Sequence, residues 1–218
     1  MVGIGIFSAM AVVVTLLCQP LPKIGGFLSI DAKDAVISIA SFVYGPISAV
    51  LISLVAALIE FMTFSTTGWY GLVMNFASSA CFSLVAALIY RKWRSFKGAM
   101  IGYVMSVIAT TLLMILLNIF VTPLYLKQIG IDNYDIIANI PVLFLPFNFA
   151  KTLMNSAISM LLYKPITSAL RRAKQIPPSN DKNGSANPQS RFNKFSLYTI
   201  IIAVTALAVA VAIFILRA

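Results

Sequence analysis

Between residues 35 and 64 the chain is almost wholly apolar, with a single charge, Glu60, and one break at Tyr44-Gly45-Pro46. No other feature constrains the fold as strongly. In hydrocarbon every backbone N–H and C=O must be satisfied internally, so only helices and closed barrels span a membrane. One crossing takes about 20 mostly apolar residues. The run exceeds that, and the Gly-Pro pair ends a helix. Two helices are therefore expected, at 35–45 and 46–63, the first short enough to be tilted or partly buried. Further apolar runs at 2–17, 70–90, 99–125, 136–170 and 195–216 predict five more. The 136–170 run is too long for a simple span and is expected to be interrupted at Pro141, Pro146 and Pro165. The opening "MVGIGIFSAM" has no basic segment ahead of its apolar run, so a permanent helix is expected there rather than a cleaved signal. A segment rich in Pro, Asn and Ser follows Arg171 and reads as a flexible linker. The expected organisation is an all-α integral membrane protein. A six-helix domain covers 1–173, a polar linker 174–194 and a seventh transmembrane helix 195–218. That last helix reads as a lipid-facing anchor. Composition agrees, with 60% hydrophobic and only 10% charged residues, against about 25% charged in soluble domains.

The net charge of +10 is a topology signal rather than a nucleic-acid footprint. With the N-terminus placed inside, the inner segments hold Arg91, Lys92, Arg94, Lys97, Lys164, Arg171, Arg172, Lys174, Lys182, Arg191 and Lys194. The outer segments hold Lys23, Lys33, Lys127 and Arg217, together with Asp31, Asp34, Asp132 and Asp135. The positive-inside rule then puts the N-terminus in the cytoplasm of a multi-pass cell-membrane protein. The inner basic groups also favour anionic lipid.

Lys151 does not fit that pattern, because it lies inside an apolar run in "LPFNFAKTLMN". At about 100° per residue, Asn148, Lys151, Thr152, Asn155 and Ser159 share one helix face, with Phe149, Leu153, Met154 and Leu161 on the others. Lipid cannot satisfy such a stripe, so it must face protein or a wet cavity. Glu60, Asn75 and Asn118 fall in the outer half of their helices and are expected to converge with Lys151. Ion pairing between Glu60 and Lys151 would lower the cost of burying each. Ionisable groups inside membranes mark functional sites by default. For the Asn and Ser residues, polar glue between helices is the competing reading. In the outer loop "TFSTTGWYG", glycines 68 and 71 are expected to supply turns. Trp69 and Tyr70 read equally as interfacial anchors or as ligand-stacking rings. The Gly-rich "PLPKIGGFLSIDAKD" could fold over the opening as a lid.

The chain has no His, which removes the commonest acid–base group and metal ligand. Its two cysteines, Cys18 and Cys81, lie apart and read as buried inert thiols. No phosphate-binding loop, HExxH, GxSxG or paired metal-ligand carboxylates occur. An enzyme is not expected, and no catalytic residue, metal or cofactor is assigned. The pattern is a small binding bundle without its own motor.

Three stretches carry a family likeness: "LSIDAKDAVISIASFVYGPISAVLISLVAALIEFMTFSTTGWYGLVMNFASS", "NIFVTPLY" and "LPFNFAKTLMNSAISMLLYKP". The chain resembles the substrate-binding S component of energy-coupling factor (ECF) vitamin transporters, most closely the riboflavin-specific branch. That resemblance implies a six-helix S-component bundle binding a vitamin from outside. It also implies a transmembrane coupling protein and two cytosolic ATPases as partners, the partners spending the ATP. The seventh helix goes beyond the usual six. Family members dock the coupling protein through AxxxA on the first helix, and here the nearest match is Gly5 with Ala9. For riboflavin, Phe27, Phe61, Phe64 and Trp69 would wall the ring. Glu60, Asn75, Asn118, Asn148, Lys151 and Asn155 would supply polar contacts, Asn148 and Lys151 sitting in the matched "PFN..K" run. A phosphorylated flavin would call for extra cations at the mouth, for which Lys33 and Lys127 are the candidates. Another vitamin or heteroaromatic is the competing ligand, and a membrane scaffold without ligand is the competing class.

Overall fold

In the computed structural model, residues 2–131 and 133–172 are described; the expected linker and seventh helix, at 174–194 and 195–216, lie outside them. Helices α1 (Val2–Cys18), α2 (Lys33–Tyr44), α3 (Pro46–Thr63), α4 (Gly68–Lys92) and α5 (Phe96–Gln128) follow in order. A one-turn α6 (Ile136–Asn139) then leads through a π turn (Ile140–Phe144) into α7 (Leu145–Arg172). No strand occurs among the described residues. Among the described residues, four segments are long and apolar enough to cross a membrane: α3, α4, α5 and Ile136–Tyr163.

The break between α2 and α3 lies where Gly-Pro puts it. Gly45 takes φ +95°, a conformation L side chains rarely adopt. Pro46 then opens α3, where its missing N–H costs nothing. Helix α2 is 12 residues long, or about 18 Å, too short to cross. It is buried from Lys33 to Ser41 on every face, which marks a central rather than a surface helix. It packs against α1, α3, α4 and α7.

The 136–170 run is interrupted only once, at the π turn that contains Pro141. Pro146 falls in the first turn of α7, directly after that π turn, and does not break the helix. Pro165 does not end α7, which continues to Arg172. Lipid-facing rows are evident on α5, where Leu112, Leu116, Phe120 and Leu124 are all exposed. Between α4 and α5 the backbones approach closely at Gly102, where an added Cβ would lie 3.0 Å from the Ala86 carbonyl oxygen. Gly71 is likewise helical and buried, and its missing Cβ makes room for Thr67. The turn in that outer loop is supplied by Gly68 alone, at φ +59°.

Gly102→Val is expected to force α4 and α5 apart and cost about 1–3 kcal/mol. Leu116→Ala, on the lipid face, should leave the thermal unfolding midpoint in detergent nearly unchanged. Equal midpoints for the two variants would contradict the close approach.

Candidate functional site

The polar stripe on α7 is buried throughout: Asn148, Lys151, Thr152, Asn155 and Ser159 are at most 7% exposed, while Phe149 on the opposite face is 42% exposed. Lys151 does not pair with Glu60. Its Nζ lies 2.8 Å from Asp31 Oδ2. Glu60 is held instead by Lys33, whose Nζ sits 2.8 and 2.7 Å from its two carboxylate oxygens. Thr15 and Asn75 donate to the same carboxylate at 3.2 Å each. Lys33 is therefore a buried ion-pair member, 1% exposed, and not a cation at the mouth. The physical reason is the placement of α2. Burying its whole N-terminus buries Asp31, Lys33 and Asp34 as well, and each needs a partner of opposite charge or a donor. Asp34 accepts from Ser79 on α4. Burial alone would push the Asp31 carboxyl up; Lys151 first and then Lys33 pull it below the ordinary carboxylate range.

Asn155 fixes this arrangement. Its Nδ2 donates to the Asp31 backbone carbonyl at 2.9 Å and to the Lys151 carbonyl at 3.1 Å. Its Oδ1 accepts from the Ala35 N–H at 3.0 Å. One side chain thus ties the start of α2 to the middle of α7. Deeper in the bundle, the Ser38 hydroxyl pairs with Tyr103 at 3.1 Å and Ser159 at 3.0 Å.

Two neighbouring clefts open at this end of the bundle. The first encloses about 580 Å³ of non-atom space, mouth included, and is lined by Thr15, Cys18, Gln19, Lys23, Asp31, Glu60 and Phe64 among others. The second, about 660 Å³, is lined by Tyr70, Met74, Met114, Tyr125, Phe147, Asn148 and Lys151 among others. Phe27, Ser29 and Asn75 border both. The outer loop before α2 stands between the clefts, folded by Gly25 at φ +64° and Gly26 at φ +79°, with a bridge from Ile24 to Leu28. Lys23 Nζ reaches Thr66 Oγ1 at 2.8 Å and ties this loop to the one before α4. Phe27 packs on Tyr125 and Phe144, centroids 5.9 and 6.3 Å apart.

Of the residues expected at the site, Glu60, Phe64, Asn75, Asn148, Lys151 and Phe27 line the clefts. Asn118, Asn155, Phe61 and Trp69 do not. Asn118 is fully buried, donating to the Met114 carbonyl and accepting from Thr122 beside Pro123. Phe61 and Trp69 pack on each other at 4.5 Å, and Trp69 is 68% exposed, which fits the interfacial role. Lys127 is exposed and borders neither cleft. Gly5 and Ala9 are exposed on α1. Cys18 and Cys81 are free but only partly buried. Among the described residues no group of three or more His, Cys, Asp or Glu could hold a metal. Sequence reasoning missed Asp31, Tyr125 and Met114, and put Lys33 at the mouth rather than in a buried ion pair. The one available signal was D-x-K-D opening an apolar run, charges that must either leave the bundle or pair inside it.

A family model described as "ECF transporter, substrate-specific component" matches residues 1–163. Riboflavin transporter RibU of Staphylococcus aureus is 32% identical over 177 residues, covering 79% of this chain and 92% of that protein. Riboflavin transporter FmnP of Bacillus subtilis is 25% identical over 169 residues, covering 75% and 89%. A solved structure reported under "Structure and mechanism of the S component of a bacterial ECF transporter" aligns with TM-score 0.65 and 31% identity. It covers 78% of this chain and 96% of that one.

Lys33→Met strands the Glu60 carboxylate and should cost about 3–5 kcal/mol. Adding Glu60→Gln should recover much of that loss, as read from thermal unfolding of the single and double variants. Additive losses would show that the two side chains do not depend on each other.

Proposed function

The chain belongs to the substrate-specific components of ECF transporters, and from that premise we propose that it captures riboflavin from outside the cell for uptake by a partner-driven importer. The observation that supports the ligand is the make-up of the second cleft. Phe27, Tyr70 and Tyr125 offer rings to a flat heteroaromatic, and Met74, Met114 and Phe147 complete an apolar wall. Asn75, Asn148 and Lys151 supply polar contacts at its margin. Asn148 spends its Nδ2 on the Phe144 carbonyl at 2.8 Å, which leaves Oδ1 for a ligand N–H. The relatives named as riboflavin transporters support the same choice.

The family is a transporter component and not an enzyme. In this reading the protein is a multi-pass protein of the cell membrane with its N-terminus in the cytoplasm. Arg91, Lys92, Arg94 and Lys97 gather at the α4–α5 turn, at the bundle end opposite the clefts, which supports that orientation. Counting α6, the π turn and α7 as one membrane unit gives a six-helix bundle. A transmembrane coupling protein and two cytosolic ATPases supply the energy. The exposed Gly5 and Ala9 on α1 offer the close-packing face for that coupling protein.

Purified protein should be yellow or should turn so with riboflavin, quenching flavin fluorescence and raising the unfolding midpoint. Asn148→Ala should weaken binding by about 1–3 kcal/mol. A colourless protein that riboflavin neither stabilises nor is quenched by would overturn the assignment.

A further inference from the structure

Four cations stand together where α4 turns into α5, at the bundle end opposite the clefts. Arg91, Lys92, Arg94 and Lys97 fall within seven residues, and all four are exposed. The acids among the described residues, Asp31, Asp34, Glu60 and Asp135, lie at the other end, around the clefts and at the start of α6. The two ion pairs found there use Lys33 and Lys151. The four cations therefore have no carboxylate partner among the described residues. Nor can the turn spread to separate them. Ser95 caps α5 by accepting from the Gly98 N–H at 3.1 Å and donates its own N–H to the Trp93 carbonyl at 2.7 Å. A Cβ on Gly98 would overlap that same carbonyl oxygen. A fixed cluster of like charge is relieved by anions brought from outside.

The surface beside these cations is apolar. Lys97, Ile101, Val104, Ile108 and Leu112 recur at three- and four-residue spacing along α5, and all are exposed, so one helix stripe runs from an apolar row into a cation. On α4, Leu88 is exposed one turn before Lys92. Trp93 stands at the border, 48% exposed, with the Lys92 ammonium 5.5 Å from its ring. An amphipathic ring between apolar rows and cations marks headgroup level. We propose that the α4–α5 turn binds an anionic phospholipid. Its phosphate sits among Arg91, Lys92, Arg94 and Lys97, the two guanidiniums offering forked donors, and its acyl chains lie along the exposed row of α5. An acidic face of a protein partner would satisfy the charge, but not the continuity of the cations with the apolar stripe. A zwitterionic lipid brings an ammonium of its own, which the cluster repels. The inference is independent of the riboflavin reading.

The chain supplies its own reporters, because its two tryptophans, Trp69 and Trp93, stand at opposite ends of α4. Full-length protein carrying Trp69→Phe is placed, without flavin, in phosphatidylcholine bilayers containing a minor fraction of brominated phosphatidylglycerol or brominated phosphatidylcholine. Bromine quenches tryptophan fluorescence on contact. Trp93 should favour the brominated phosphatidylglycerol about fivefold or more at low salt, and the preference should fall as salt is raised. Changing Arg91, Lys92, Arg94 and Lys97 together to Gln should abolish it. In the reciprocal protein, Trp93→Phe, the remaining Trp69 should show no such preference. Equal quenching of Trp93 by both lipids would overturn the proposal and leave the cations to an acidic protein partner. A preference that survives neutralisation would overturn it too, as would one shared equally by Trp69. Should the fourfold variant not fold, Arg94→Gln and Lys97→Gln singly carry the test. Each should lower the preference, and no drop in either would overturn the proposal.

Discussion

The ion pairs at the head of α2 are the contacts on which the rest of the site depends. Lys151 with Asp31 and Lys33 with Glu60 allow a charged segment to sit inside an apolar bundle. Neither pair is strong evidence for stability in itself, because desolvating two ions costs about as much as their attraction returns. What the pairs impose is register. A shift of α2 by one residue would strand buried charges on three helices at once. Asn155 reinforces that register by accepting from the Ala35 N–H and donating to the Asp31 carbonyl.

From that anchored helix the clefts follow. Because α2 is too short to cross and lies at the centre, the loop that precedes it must fold back across one end of the bundle. Gly25 and Gly26 allow the reversal, and Phe27 is set between two clefts as a result. On the other side, the π turn before α7 brings Asn148 and Lys151 to the same level; such turns recur at functional sites. The site is thus built where the ends of short or irregular elements meet the long α4 and α5, which wall the second cleft and also supply the frame and the lipid-facing surface.

Much of this was legible before folding. The period of polar residues on α7 showed that Asn148, Lys151, Thr152, Asn155 and Ser159 turn inward, and the Gly-Pro break located the α2–α3 junction. The family likeness was readable from "PFN..K" and its companion stretches. Partner choice was not readable. Glu60 and Lys151 were the conspicuous charges in apolar surroundings, and pairing them was the economical solution. Asp31 and Lys33 looked like ordinary loop residues, since nothing local shows that the chain re-enters the bundle before α2 begins. Asn118 and Asn155 carried the same chemical signal as Asn75 and Asn148, yet they spend their amides on backbone groups and line neither cleft.

By itself the sequence determined what hydrocarbon enforces: helices, their approximate ends, the inward faces and a buried charge needing an opposite. These follow from local chemistry, because an unsatisfied backbone or ammonium is intolerable in lipid wherever its neighbours lie. Only the tertiary structure decided which carboxylate met which lysine and which asparagines faced open space. Those outcomes depend on hydrogen-bond-length contacts between segments up to 124 residues apart, and no periodicity along a chain encodes them.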